Sequence, residues 1–176
     1  MHQNLYKLIV LFMLGKIDFS MTFTQISDFI LGAGYTDYFT LQSSMSELAE
    51  AKLIHAETLR NISYYTITPE GEETIGFFEN RIPQAIREDI VQYLTEHKMQ
   101  MRNEVSVLSD YYRSTSGEYE VRCRVREKQV ELIDLTLSVP GEDQARVICQ
   151  NWKETSQEVY AYLMKILLAD HRSEEP

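Results

Sequence analysis

Along the chain, apolar residues recur first with the spacing of helices and later with the two-residue alternation of strands. Leu5, Leu8, Ile9 and Phe12 mark one helical face between residues 3 and 16. Val10, Leu11, Met13 and Leu14 make the other faces apolar as well. A helix apolar nearly all round needs cover on more than one side, either from a self-association surface or from a second domain of the same chain. Thr22-Phe23-Thr24-Gln25 then has the form of a capping box. The helix it opens runs to about Leu31 and buries Phe23, Ile26, Phe29 and Ile30, and a turn between Gly32 and Gly34 ends it. A third helix, capped by Thr36 or Asp37 and reaching about Ala51, turns Leu41, Met45, Leu48 and Ala49 inward. Tyr38, Thr40, Gln42, Ser43 and Ser46 are left facing outward.

Next comes a strand over residues 53–59, a tip at Arg60-Asn61, and a returning strand in "SYYTITPEG", where β-branched and aromatic residues alternate. Asn at a hairpin tip tolerates the positive φ such turns often need. Thr68 as N-cap and Pro69 at the first helical position start another helix at once, to about Arg81. Three helices, a hairpin and an exit helix in that order predict a winged helix-turn-helix. Pro83 breaks the chain before a helix over residues 84–101, and the domain boundary is placed near residue 82.

Beyond it, residues 104–112, 119–127 and 131–139 alternate as strands. Tyr119, Val121, Cys123 and Val125 share one face of the middle strand, and Arg122, Arg124 and Arg126 the other. Placing Cys123 near Leu135 puts Arg124 across from Asp134. Pro140-Gly141 leads into a long helix whose stripe is Ala145, Ile148, Cys149, Trp152, Val159, Leu163, Ile166 and Leu167. The expectation is α+β: an N-terminal winged helix-turn-helix over residues 1–82, then residues 83–176 as a helix, a three-stranded antiparallel meander and a long C-terminal helix for dimerisation or sensing.

The segments "LIVLFMLGKID", "TFTQISDFIL", "GYTDYFTLQSSMSELAEAKLI" and "SYYTITPEG", followed by "FFENRIP", "SDYY", "LIDLTLSVP" and "QARVICQNWK", resemble a bacterial winged-helix family catalogued as a domain of unknown function (DUF4364-like). The resemblance covers nearly the whole chain and keeps the order of segments. It implies the architecture just described and a DNA-binding regulator without an established ligand or target.

Composition fits a folded globular protein of 176 residues, with 44% hydrophobic residues, 18 Phe and Tyr, and seven Gly against four Pro, so linkers are few. "LYKLIVLFML" imitates a signal-peptide core, but only Lys7 lies near its start, no A-x-A site follows, and the run is too short to span a membrane. A cytoplasmic protein is expected. Cys123 and Cys149 stand singly, one in an alternating strand and one on an apolar helix stripe, which fits buried reduced thiols rather than a disulfide, and their spacing gives no support to zinc.

The net charge of −10 changes the picture more. Residues 1–80 carry four basic residues, Lys7, Lys16, Lys52 and Arg60, against ten acidic ones, a net of −6. Neutralising the phosphate backbone supplies most non-specific affinity for DNA. Binding by this domain alone is therefore expected to be weak and strongly salt-sensitive. The candidate DNA-binding residues are Tyr38, Thr40, Gln42, Ser43 and Ser46 on the third helix, with Arg60 and Asn61 at the wing tip. Gln pairs with adenine, and Ser or Thr contacts bases or phosphates.

The row Arg122, Arg124, Arg126 and Lys128 is the other concentrated feature. It either pairs with carboxylates such as Glu104, Glu118, Glu120 and Asp134 or receives an anionic ligand, an acidic partner or nucleic acid. His2, His55, His97 and His171 are scattered without a catalytic or metal-binding spacing. No enzyme, cofactor, metal site or membrane association is expected. The leading expectation is a transcriptional regulator binding double-stranded DNA as a homodimer. The alternatives are an acidic winged helix that contacts a protein partner and a ligand-responsive sensor using the C-terminal sheet.

Overall fold

A computed structural model of the protein describes residues 2–59, 61–128 and 130–169. The architecture is α+β, with helices first, two small antiparallel sheets, and a long C-terminal helix. The chain forms two compact units, residues 1–105 and 106–176.

The first unit runs α1 (His2–Gly15), β1 (Met21–Thr22), α2 (Phe23–Gly32), α3 (Tyr38–Glu50), β2 (Ile54–Leu59), β3 (Ile62–Ile67), α4 (Pro69–Phe78) and α5 (Gln84–Ser106). Its sheet has the order β1-β3-β2, antiparallel throughout. The order of three helices, the hairpin β2–β3 and the helix α4 after it is the one expected from the sequence. The pattern of apolar residues does not reveal β1, because two residues are too few to show an alternation. Met21 and Thr22 pair with Tyr65 and Tyr64, more than 40 residues further along the chain.

Local chemistry fixes the helix starts. The Thr22 hydroxyl accepts from the Gln25 amide at 3.1 Å, and the Gln25 side-chain carbonyl accepts from the Thr22 amide at 3.0 Å, completing the capping box. Asp37 caps α3 by accepting from the Thr40 amide at 3.0 Å. Thr68 caps α4 by accepting from the Gly71 amide at 3.1 Å, with Pro69 opening the helix. Asn61 sits at the hairpin tip with φ 64°, the left-handed conformation expected there.

Ile9 through Leu14 are each no more than 4% exposed. α1 meets α3, α4 and β3 on its different sides, so the cover it requires comes from its own unit. Its hydrophobicity is thus accounted for without a second copy of the chain. α5 also belongs to this unit, and the division of the chain falls after Val105 rather than near residue 82. The turn at Pro83 ends one helix without ending the core. Ile90, Leu94, Met101 and Val105 join the same buried cluster as α1. The Gln25 side-chain amide donates to the Met101 carbonyl at 3.2 Å and to Glu104 at 2.7 Å, and Arg102 meets Asp18 at 2.5 Å.

In the second unit, β4 (Val107–Arg113), β5 (Tyr119–Glu127) and β6 (Val130–Val139) form an antiparallel sheet in that order. Cys123 pairs with Leu135 and Arg124 with Asp134, the register the alternation predicts, and a bulge follows at Val125/Arg126. α6 (Glu142–Leu167) packs Ala145 and Trp152 onto the sheet beside Val121 and Cys123. The Trp152 indole donates to the Arg124 carbonyl at 3.0 Å, and the Ser109 hydroxyl donates to that of Cys149 at 3.1 Å. The stripe read from the sequence is buried only in part. Val159 still packs against this core, whereas Leu167 is 73% exposed. Both cysteines are free thiols; burial, and then the neighbouring Cys149, pushes the Cys123 thiol up to about 11.

Candidate nucleic-acid interface

α3 presents two chemically different sides. Leu41, Ser44, Met45 and Leu48 are buried, and the Ser44 hydroxyl is satisfied by the Thr40 carbonyl at 2.9 Å. Tyr38, Gln42, Ser43 and Ser46 are exposed on the opposite side. The Tyr38 ring is held edge-on by Phe23 of α2, with centroids 5.5 Å apart, and is itself met edge-on by Phe39 at 5.7 Å.

Beside this face lies an open groove of about 420 Å3. Thr22, Phe23 and Thr24 line it from the start of α2, Tyr38, Gln42, Met45 and Ser46 from α3, and Asn61, Ile62, Ser63 and Tyr65 from the β2–β3 hairpin. Four of the sequence-predicted residues, Tyr38, Gln42, Ser46 and Asn61, therefore converge on one surface. Thr40 and Ser43 do not line it. Both Thr40 groups that bond to Asp37 are engaged at 3.0 and 2.7 Å, and the Ser43 hydroxyl donates to Glu47 at 3.1 Å. Arg60 lies outside the described residues.

The groove also contains residues that sequence reasoning missed. Thr24, Ile62 and Ser63 come to it through the pairing of β1 with β3, a contact between distant segments that no local pattern announces. The capping box places Thr24 beside a helix start, but nothing in its spacing aims it at a groove.

Electrostatics around the face are acidic. Bonds from the Thr40 amide and hydroxyl hold the Asp37 carboxyl below its ordinary range. A bond from Lys7, with help from Ser43, does the same for Glu47. Both carboxylates are ionised at neutral pH. Lys7 is engaged in its ion pair with Glu47, and α3 contains no Lys or Arg. The surface can thus make directional hydrogen bonds and apolar contacts, while its local charge does little to attract phosphate.

The rival arginine row is paired. Arg122 makes a two-pronged contact with Asp134 at 2.9 and 2.6 Å, which holds that carboxyl low. Arg124 and Arg126 approach Glu131 at 3.6 and 3.2 Å. Glu118 and Glu120 instead accept from Ser138 and Tyr112, while Glu104 accepts from Gln25 and Gln100. His55 is exposed on β2, and His97 stacks on Tyr93 at 4.2 Å; His171 lies outside the described residues. Among the described residues, no group of three or more His, Cys, Asp or Glu is placed to hold a metal ion, and no helix is long and apolar enough to cross a membrane.

A family model described as Domain of unknown function (DUF4364) matches residues 6–167. No curated protein and no solved structure matches the chain.

Proposed function

This chain belongs to the family described as Domain of unknown function (DUF4364), and we propose that it is a winged-helix transcriptional regulator that binds double-stranded DNA as a homodimer. The observation that carries this reading is the convergence of Tyr38, Gln42 and Ser46 with the wing residues Asn61 and Ser63 around one open groove. A helix-turn-helix module reads DNA by laying its second motif helix in the major groove, where side chains meet base edges. The outward side of α3 is uncovered and sets Gln42, Ser43 and Ser46 beside the Tyr38 and Phe39 rings, groups suited to that role. The wing lies alongside it, within reach of the neighbouring backbone or minor groove.

Support for pairing of subunits comes from the last turns of α6. Tyr162, Leu167 and Leu168 are 61%, 73% and 75% exposed, an apolar end that a second copy would cover. Two copies would then present α3 to successive half-sites of a palindromic operator.

Selection from random duplexes with the full chain, at low and at physiological salt, tests the proposal. An enriched sequence with two related half-sites is expected. No enrichment at either salt overturns it. The net charge of −6 over residues 1–80 favours the rival in which the acidic winged helix contacts a protein. That rival predicts no enriched duplex and a stoichiometric protein partner that survives nuclease treatment.

A further inference from the structure

We propose that the outward face of α3 selects A·T base pairs, with Gln42 reading adenine and the Phe39 ring contacting the C5-methyl group of thymine. This inference rests on the DNA-binding reading and specifies what that reading recognises.

The first argument is one of available chemistry. Guanine is most often read by Arg or Lys through its O6 and N7 acceptors, and α3 has neither residue anywhere from Tyr38 to Glu50. Cytosine is read by a carboxylate accepting from its amino group. The two carboxylates nearest the start of this face are already engaged, Asp37 with Thr40 through both oxygens and Glu47 with Lys7 and Ser43. The Gln42 amide offers a donor and an acceptor side by side, the complement of adenine N7 and N6.

The second argument is Phe39. At 80% exposure its ring is among the most open large apolar side chains of the described residues. It lies at the second position of α3, three residues before Gln42, so the two share one side of the helix. The N-terminal residues of a recognition helix are the ones that reach base edges. The ring stands edge-on to Tyr38, which is edge-on to Phe23, so a chain of aromatic contacts from α2 orients it. An apolar group so placed matches the one apolar feature of the major-groove edge, the thymine methyl group.

The test uses the full chain and the duplex that it enriches. A·T pairs are expected at the positions under α3. Replacing the contacted thymine by uracil removes only the methyl group, and should weaken binding by the unsubstituted chain about fourfold, the equivalent of one buried CH2. Phe39→Ala should bind the thymine duplex more weakly and lose the difference between thymine and uracil. A site dominated by G·C pairs, or a uracil penalty that is the same for both proteins, overturns this inference and leaves the DNA reading intact. Failure to enrich any duplex overturns both.

Discussion

At Gly71 the first turn of α4 runs so close to Leu53 that a Cβ would stand 2.1 Å from the Leu53 carbonyl oxygen and 2.8 Å from the Ile67 side chain. Backbone cannot yield as a flexible side-chain end does. Gly71→Ala should therefore destabilise the protein by about 3 kcal/mol, the upper part of the usual range for overpacking. Urea denaturation measures this, and a variant as stable as the parent contradicts the close approach. Asp37 makes a prediction about pH. Its folded-state pKa lies below the unfolded one because of the Thr40 bonds, so its stabilising contribution is present above the unfolded value and disappears as pH falls through the folded value. The window lies below about pH 4. Asp37→Asn keeps a good cap without the charge, so its stability relative to the parent should improve as pH is lowered from 6 to 3. A constant difference across that range would count against the assignment. Cys123, whose thiol burial pushes up to about 11, should resist alkylation at pH 8 until the chain is unfolded.

At the scale of elements, Gln25 joins the start of α2 to the far end of α5. It is only 6% exposed, and its amide holds both the Met101 carbonyl and Glu104. Gln25→Ala removes a capping-box partner and both hydrogen bonds to α5, which should destabilise the fold by about 2 kcal/mol. The loss should be visible as faster amide exchange in the last turns of α5. This long-range contact also shows where the sequence stops being legible. Caps at Thr22, Asp37 and Thr68 and the β5–β6 register were readable, because each depends on neighbours in the chain or on alternation that only one pairing satisfies. β1 and the membership of α5 in the first core depend on contacts between segments 40 or more residues apart. Pro83 was a sound sign of a helix break and a poor sign of a domain boundary. The outward side of α3 was readable from its helical period, but Thr24, Ile62 and Ser63 join the groove only through folding.

For the whole molecule, the decisive balance is between shape and charge. The surface of the first unit offers an exposed helix face beside the β2–β3 hairpin, yet the net charge of residues 1–80 is −6. The strong salt sensitivity expected from the sequence needs revision once Lys7 is seen bound to Glu47 and α3 is found to lack any cation. The steepness of salt dependence follows the number of phosphates neutralised, about 0.9 per contact on a double-logarithmic plot. With few free cations the slope should be shallow, about −2 or less per subunit, and binding should lean on base contacts instead. A slope near −6 would mean that basic groups elsewhere in the assembly hold the backbone. The most direct measurement is the affinity of Gln42→Ala for the selected duplex at fixed salt, with circular dichroism to show the fold intact. The account predicts a loss of about tenfold, the worth of a bidentate base contact. Unchanged affinity would contradict the claim that this side of α3 meets DNA.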